Sequence, residues 1–316
     1  MNLAFRPMTV PDFDEFYFTY LPNHRNDTEL RAVVEREWPI LLRNPTTISL
    51  IAEDRERALG RQMVGIAQAV FVTAAFAQMA RSGWSPWLNA HAARPLPDGS
   101  WPLLSPAGVR AANSGDGLIA HITRWSLAPG LDPDDAMQLY NQLYRAFATL
   151  WRGYKIKEIF IEPSGEAIHW EALRTGFHVL NDYTAFYNGN APPPDQRPCL
   201  MSVTRDQALL DIGSSVSHAF AYTPPRFFFS ELQQQVLRWA LAGAEDEEIA
   251  SLLERTIWTV HKRWQNIYDR VEEVSPDLLP ETGDRKQGTG KRGTEKRRVL
   301  LRYLQEHPEE LRPVDA

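Results

Sequence analysis

A stretch rich in proline, glycine and polar residues, GNAPPPDQRP at 189–198, divides the chain into two parts with different patterns. Before it, short β-branched and aromatic runs alternate with segments that carry apolar residues at helical spacing. After it, the apolar residues follow helical spacing. Because strands and helices repeat their side chains every 2 and about 3.6 residues, the change predicts two domains of different fold class, joined by a linker.

The composition fits a globular protein of this organisation. The 316 residues are 43% hydrophobic and 23% charged, enough apolar surface to build packed cores. No apolar run is long enough to span a bilayer, and the polar N-terminus does not resemble a secretory signal. The single cysteine, Cys199, excludes an intramolecular disulfide framework and a cysteine-rich zinc site. We therefore expect a soluble, cytoplasmic protein with no membrane partner.

The part before the break predicts a mixed sheet with one βαβ crossover, which makes the domain α+β. Residues 75–116 have no sustained period and predict a long, partly ordered loop containing three tryptophans. The predicted strands are Leu3–Arg6, Thr47–Ala52, Met63–Thr73, Leu118–Leu127, Ile156–Ile161 and Phe177–Tyr187. The predicted helices are Val10–Leu21, Thr28–Leu42, Asp134–Arg152 and Glu166–Thr175.

This order of elements resembles a GNAT-type acetyltransferase domain over residues 1–188. The stretch FRPMTVPDFDEFY matches the family's opening strand and helix. The stretch EAIHWEALRTGFHVLNDY matches its closing helix, the turn at Gly176–Phe177 and the final strand. The resemblance implies a GNAT-like fold.

Two features of the family's chemistry are missing. GNAT enzymes bind acyl-CoA pyrophosphate on a glycine-rich loop at a helix start, but here the matching stretch, 127–135, contains two prolines and three aspartates. Those aspartates, at positions 132, 134 and 135, are better explained as favourable charges at a helix start, with capping. The family's usual acid is a tyrosine where this chain has Ala172. The departures imply a GNAT shape without catalysis, so no catalytic residue and no cofactor are predicted.

The histidines and the cysteine of this region give no further site. The histidine spacings match no zinc motif, so no metal is predicted. His121, on a predicted strand, is expected to be a hydrogen-bonded core residue. Cys199 has no histidine nearby in the sequence and is not expected to act as a nucleophile.

The part after the break predicts three short helices in close succession within residues 229–271. The first ends at Gly243, Asp246 is expected to cap the second, and Thr256 the third. The segment resembles the LuxR-type helix-turn-helix DNA-binding family. The matching motifs are Val236-Leu237, Gly243, Glu248-Ile249-Ala250-Ser251-Leu252-Leu253, Thr259-Val260 and Asn266-Ile267-Tyr268.

The outward face of the third helix is the expected DNA contact surface. Gln265 can hydrogen-bond adenine, and Lys262 can contact guanine or a phosphate. The expected DNA-binding residues are Thr256, Trp258, Thr259, His261, Lys262, Gln265 and Asn266. Trp258 is equally explained by packing between domains.

A basic segment follows at 285–302, with eight lysines or arginines and one glutamate. Such a block predicts a solvated, mobile arm, and less often one that contacts phosphates. We expect a homodimer as well, because one small helix-turn-helix buries little surface on DNA. The candidate dimer surfaces are the tryptophan-rich residues 84–101 and the outer face of the first C-terminal helix.

The sequence thus predicts a GNAT-like domain at 1–188, a linker at 189–225, a helix-turn-helix at 226–275, and a basic flexible segment with a terminal helix at 276–316. Its expected function is transcriptional regulation without enzymatic activity, in which the first domain senses a small molecule or an acyl-CoA-like ligand. Two alternatives stay open. One is an acyl-CoA-dependent N-acetyltransferase with an accessory DNA-binding domain, and the other makes the first domain a dimerisation scaffold.

Overall fold

The chain forms two compact units, which we call the N-terminal unit (1–151 with 155–222) and the C-terminal unit (152–154 with 223–316). The computed structural model describes residues 1–21, 26–164, 166–193, 197–211, 213–280 and 290–313, with the backbone alone at 166–170 and 290–294.

The N-terminal unit is built on a sheet of seven strands in the order β1-β2-β3-β4-β5-β7-β6. β4 and β5 pair in parallel, and the other neighbouring strands are antiparallel. The predicted α+β mixed sheet is therefore confirmed. The strands are β1 (Leu3–Arg6), β2 (Ile48–Asp54), β3 (Met63–Val72), β4 (Leu118–Leu127), β5 (Ile156–Ile161), β6 (His178–Asn181) and β7 (Leu200–Thr204).

Helices cover both faces of this sheet. On β3, alternate residues from Ile66 to Val72 pack with α1–α4, whereas on the opposite face a Cβ at Gly65 would lie 3.2 Å from Leu143 Cδ2 of α6. β3 is buried along its whole length for this reason, which explains its continuous apolar sequence. The helices are α1 (Phe13–Tyr20), α2 (Thr28–Arg43), α3 (Ala74–Arg81), α4 (Leu88–Ala92), α5 (Pro106–Ser114), α6 (Pro133–Trp151), α7 (Glu166–Thr175) and α8 (Arg205–Leu210), followed by a 3-10 helix at Ser215–Phe220.

Three sequence expectations for this region need correction. Residues 75–116 are not a long loop, because α3, α4 and α5 lie there, two of them capped by Thr73 and Ser105. The expected linker at 189–225 contains β7, α8 and the 3-10 helix. The expected last strand, Phe177–Tyr187, is shorter in the structure, because it ends at Asn181, and it pairs with β7. The proline and polar residues that precede β7 hide its strand pattern in the sequence, and its burial comes from pairing with β5 and β6.

The C-terminal unit is helical. Its first three helices follow the predicted pattern, with Ser230 and Thr256 as caps, each accepting a bond from the backbone three residues on. The sequence predicts that Asp246 caps the second helix, but it does not. Its carboxylate instead accepts hydrogen bonds from side chains of later helices. The helices are α9 (Glu231–Leu241), α10 (Asp246–Leu252), α11 (Ile257–Val274) and α12 (Gly290–Glu306).

The expected mobile arm at 285–302 is wrong for the part that α12 occupies. Leu300 and Leu304 of α12 are buried in the same core as Trp264. Lys296 forms an ion pair with Glu272 of α11, and Arg297 pairs with Asp246 of α10 over 2.7 Å. The buried leucines and these ion pairs hold the second half of the basic segment against the rest of the unit. Residues 285–289 lie outside the described residues.

In the part of the chain that the structure describes, no helix combines the length and the apolar character that crossing a membrane requires.

Candidate functional site

The parallel strands β4 and β5 pair along only part of β4. Their register runs from Leu118 opposite Ile156 to Ile122 opposite Ile161, where β5 ends. β4 continues to Leu127 and pairs there with β3 alone. In the described sheet, the N–H groups of this last part of β4 that face away from β3 have no strand partner. A gap therefore opens in the middle of the sheet.

A β-bulge lies at the start of this gap. Ile122 pairs with Ala69 and Arg124 with Gln68, so Thr123 is one residue in excess on β4. The Thr123 hydroxyl donates a 2.8 Å hydrogen bond to Gln68 Oε1, which anchors the bulge. Beyond it, Arg124 packs under α1 and α2, while the next side chain, Trp125, packs against α6 on the opposite face.

On the α6 face, the gap opens into a small aromatic cavity of about 80 Å³. The strands contribute apolar side chains, and α6 contributes three aromatic rings. The principal wall residues are Ile122, Trp125, Ile159, Tyr140, Tyr144 and Phe147. The volume holds a small group or a narrow chain rather than a large ligand.

Two tyrosine hydroxyls belong to this cavity, and the sequence analysis missed both. Tyr144 donates to the carbonyl of Ser215, and burial raises its pKa to about 12. Tyr140 has no hydrogen-bond partner among the described residues, and burial raises its pKa above the ordinary value. Ala172, the position of the family's usual tyrosine, also lies in the wall. A phenol is thus present in the cavity, on α6 instead of α7.

The start of α6 matches the capping explanation of its aspartates. Asp132 Oδ1 accepts a 2.9 Å hydrogen bond from the backbone N–H of Asp134. Asp134 and Asp135 occupy the first turn, where carboxylates suit the helix dipole. A carboxylate therefore takes the position at which an anionic phosphate would be held.

On the opposite face, a partly buried carboxylate, Glu162, follows the end of β5. Glu162 accepts hydrogen bonds from the Tyr183 hydroxyl at 2.7 Å and from the backbone N–H groups of Trp87 and Leu88 at 3.1 and 2.7 Å. Burial raises the pKa of Glu162 to about 7, although each of these bonds acts to lower it. The carboxylate can therefore exchange a proton near neutral pH.

The two other candidate residues of this domain behave as the sequence suggested. His121 is fully buried, its Nε2 lies 2.9 Å from Asn89 Oδ1, and burial lowers its pKa to about 4. Cys199 is buried, and burial raises the pKa of its thiol to about 11, which opposes nucleophilic use.

The expected DNA-binding residues lie on one side of α11 and its cap. Val260, Trp264 and Ile267 face the core, whereas Trp258 is 67% exposed. The Lys262 ammonium lies 5.2 Å from the centre of the Trp258 ring. The exposed side chains of this face are Thr256, Trp258, His261, Lys262, Gln265 and Asn266, with Thr259 partly exposed.

Four of these side chains already have polar neighbours, and the Thr256 and Thr259 hydroxyls lie 2.9 Å apart. Gln265 Nε2 donates to Asp269 Oδ1 over 2.7 Å, and His261 Nε2 lies 3.5 Å from Asp246 Oδ2. The Gln265 contact lies within α11, whereas the His261 contact reaches α10. Whether they meet DNA stays a prediction.

No protein-family model matches the chain, and no curated protein matches it. Solved structures with a similar fold include the C-terminal condensation domain of Ebony in complex with β-alanyl-dopamine, at 12% identity and TM-score 0.40 over 65% of this chain and 99% of that one. Another is an acetyltransferase of the GNAT family from Staphylococcus aureus, at 8% identity and TM-score 0.35 over 64% and 98%. A third is the PaiA N-acetyltransferase of Thermoplasma acidophilum in complex with coenzyme A, at 10% identity and TM-score 0.32 over 65% and 99%.

One of these structures is named as a member of the GNAT family, the family whose fold the sequence predicts for the N-terminal part. Against the expectation that the protein is not an enzyme, two of these three structures are named as acetyltransferases, one of them in complex with coenzyme A. The expectation rested on Ala172 and on the three aspartates at the start of α6. At this level of identity, the likeness concerns the fold.

Proposed function

We propose that the N-terminal unit is an acyltransferase that moves an acyl group from a thioester to an amine, and that the C-terminal unit binds DNA. The observation that carries the first part is the gap between β4 and β5, which begins at the Thr123 bulge. Through this gap, an acyl thioester in the aromatic cavity can meet an amine on the opposite face. Unpaired N–H groups of β4 line the gap and can hydrogen-bond the thioester carbonyl.

The proposed reaction is one acyl transfer. The amine nitrogen attacks the thioester carbonyl carbon, a C–N bond forms, and the C–S bond breaks. The leaving thiolate takes a proton from a neighbouring acid, and the amine gives up one proton to a base or to water. β4 backbone N–H groups stabilise the negative charge that develops on the carbonyl oxygen.

Tyr140 is the proposed acid. Its hydroxyl lies in the cavity wall without a partner among the described residues, and its raised pKa keeps it protonated at neutral pH. Tyr144 is less suited, because its hydroxyl is bonded to Ser215. Glu162 is the proposed proton acceptor on the opposite face, since its pKa of about 7 allows exchange with an ammonium group.

The residues at the start of α6 limit how the acyl donor can be bound. Asp132 occupies the helix terminus, and Pro129 and Pro133 remove backbone donors. A pyrophosphate therefore gains little there, and we propose that recognition of the donor rests on the thioester and the pantetheine chain beside it.

Thiol release tests the first proposal. The full-length protein is incubated with acetyl-CoA or acetyl-pantetheine and a panel of primary amines, and free thiol is measured with time. We expect amine-dependent release that Tyr140→Phe lowers by about 10²–10⁴-fold. Tyr144→Phe is the matched control, since it removes a phenol from the same cavity. The proposal is refuted if no donor and amine give release above hydrolysis.

A second function is favoured by α11. Its outward face gathers Lys262, Gln265 and Asn266, groups that contact phosphates or base edges, on a helix held by its buried stripe. We propose that this helix enters the major groove of double-stranded DNA, which would make the protein an acetyltransferase with a DNA-binding unit. Lys296 and Arg297 of α12 are committed to ion pairs and add little to binding.

Selection from a random duplex library tests this second proposal with the full-length protein. We expect an enriched sequence whose affinity falls by about 1–3 kcal/mol in Gln265→Ala, with a smaller loss on random DNA. Lys262→Ala should weaken both and reduce the salt slope by about 1. Lys157→Ala, an exposed lysine of the N-terminal unit, is the control. Equal losses on both duplexes in Gln265→Ala would contradict base recognition.

Homodimer formation stays a proposal that sedimentation of the free and DNA-bound protein tests. Trp87 and Trp101, from the tryptophan-rich residues 84–101, are about half exposed, at 53% and 44%, and are available for such a contact. A protein that is monomeric both free and on its selected duplex would rule out the dimer.

A further inference from the structure

Arg124 is a partly buried cation without a counter-charge. Its guanidinium lies 4.5 Å from the centre of the Phe16 ring and 5.1 Å from that of Trp38. Among the described residues it makes no hydrogen bond or ion pair, and its buried Nε has no acceptor. The carboxylate that influences its pKa, that of Glu37, is already paired with Arg94. Burying an ionised group without a partner is costly, so an arginine held in this way requires a separate reason.

Gln68 adds a second unsatisfied donor at the same place. It is the register partner of Arg124 on β3, so the two side chains stand side by side on one face of the sheet. Its side chain is fully buried. Its Oε1 accepts from the Thr123 hydroxyl, whereas its Nε2 has no partner. Two neighbouring groups therefore offer N–H donors, and the described residues supply no acceptor.

The surroundings keep these donors in place. Phe16 and Trp38 hold the guanidinium from one side, and the Trp38 indole is itself fixed by bonds to the carbonyls of Thr9 and Val10. The Thr123 hydroxyl fixes the orientation of the Gln68 amide, because its bond to Oε1 turns Nε2 away from Thr123. A donor pair that is rigid before the ligand arrives loses little entropy on binding.

We propose that Arg124 and Gln68 bind a carboxylate of the acyl acceptor, so that the acceptor is an amine that also carries a carboxylate. This inference rests on the acyltransferase activity proposed above. A guanidinium and an amide present N–H groups that match the two oxygens of a carboxylate. Arg124 follows the bulge where the gap opens, and it lies on the same face as Glu162. An acceptor anchored there can direct its amine into the gap.

Binding is measured first, by thermal shift and calorimetry on the full-length protein. The probes are the twenty amino acids, the carboxamide of each one that binds, and phosphoethanolamine. We expect at least one amino acid to stabilise the protein and its carboxamide to bind at least about tenfold more weakly. Equal binding of acid and carboxamide overturns the proposal, and stronger binding of phosphoethanolamine replaces the carboxylate by a phosphate.

Two variants separate binding from a structural role. Arg124→Met should raise or leave unchanged the melting temperature of the free protein, because an unpaired charge is removed, and should abolish binding of the amino acid. Gln68→Glu would supply the missing carboxylate next to Arg124, so it should raise the melting temperature and exclude the probe. If Arg124 serves only to pack on Phe16 and Trp38, Arg124→Met lowers the melting temperature, and the proposal fails.

Arg81→Met is the matched control. Its guanidinium also lies over a ring, that of Phe160 at 5.4 Å, but it is paired with Glu158. We expect a lower melting temperature and unchanged affinity for the probe.

Thiol-release assays on the same proteins distinguish the two proposals. Binding that depends on Arg124 without any acyl transfer would leave the site standing and refute the enzymatic function. Acyl transfer to amines and amino acids alike, unaffected by Arg124→Met, would support the enzymatic function and refute the carboxylate site.

Discussion

The indole N–H of Trp264, in the middle of α11, donates a 3.0 Å hydrogen bond to Asp246 Oδ1 in the first turn of α10. The same oxygen accepts a 2.7 Å bond from Arg297 of α12, whose guanidinium lies 4.7 Å from the Trp264 ring centre. One carboxylate thus joins three helices of the C-terminal unit.

Asp246→Ala should therefore lower the free energy of unfolding of this unit by about 1–3 kcal/mol, because it leaves the indole N–H without an acceptor and the Arg297 guanidinium with the Ala244 carbonyl alone. Denaturant unfolding, followed by tryptophan fluorescence, measures the change. Asp269→Ala removes an exposed aspartate of α11 and should cost no more than about 0.5 kcal/mol. Similar costs for both variants would mean that Asp246 is only a surface group.

The donor proposal predicts that the nucleotide part of acetyl-CoA contributes little. We expect kcat/KM for acetyl-pantetheine to lie within about fivefold of that for acetyl-CoA, since no phosphate cradle is lost. In Asp132→Ser, the cap is kept and a negative charge is removed, so KM should fall for acetyl-CoA but not for acetyl-pantetheine. A large preference of the unaltered protein for acetyl-CoA would show that phosphates are bound elsewhere.

The pKa of Glu162 makes the stability of the N-terminal unit depend on pH. Burial raises this pKa from 4.5 to about 7, so the folded protein holds a proton that the unfolded chain releases. The stability contributed by Glu162 is complete below pH 4.5 and is lost as the pH rises towards 7. His121 acts in the opposite sense, because its pKa falls from 6.5 to about 4. Its contribution is complete above pH 6.5 and is lost as the pH falls towards 4.

A comparison of variants isolates the Glu162 contribution. Relative to the unaltered protein, Glu162→Gln should gain about 1–3 kcal/mol of stability between pH 4.5 and 7, and no more above pH 7. Unfolding curves at several pH values provide the measurement. Glu35→Gln, at an exposed position of α2, should show no such trend. A constant difference across the range would indicate that Glu162 is ionised throughout.

Acid catalysis by Tyr140 predicts a particular kinetic pattern. Tyr140→Phe should lower kcat and kcat/KM to a similar degree, because the phenol acts on the leaving thiolate and not on the bound donor. A thioester with a more acidic thiol needs less protonation and should recover part of the lost rate. If Tyr140→Phe raises KM alone, the ring is a wall of the donor cavity and not the acid.

Much of the fold follows from local sequence signals. The apolar run of β3 identifies a central strand, and Thr256 at the start of α11 marks a helix boundary. β7 escapes detection because it is five residues long and lies beside a proline-rich stretch. Its strand character comes from burial between β5 and β6, which are distant in sequence.

The candidate site was predictable only in part. Asp132 as a cap and His121 as a buried, hydrogen-bonded residue both follow from their local sequence. Tyr140 and Arg124 could not be identified in that way, because the proposed role of each depends on residues of other elements that surround it in the fold. The pairing of Arg124 with Gln68 depends on the strand register, which the extra residue of the bulge alters.

The extra residue at the Thr123 bulge shifts by one position the alternation of β4 side chains between the two faces of the sheet. With strict alternation, the positions after Thr123 would exchange faces, sending the Arg124 cation among the aromatic rings of α6 and Trp125 beneath α2. This one extra residue thus places the Arg124 charge on one face of the sheet and the Trp125 indole on the other. Inserting or deleting a single residue at this point would move the following side chains of β4 to the opposite face of the sheet. Inserting or deleting two residues would keep each side chain on its present face.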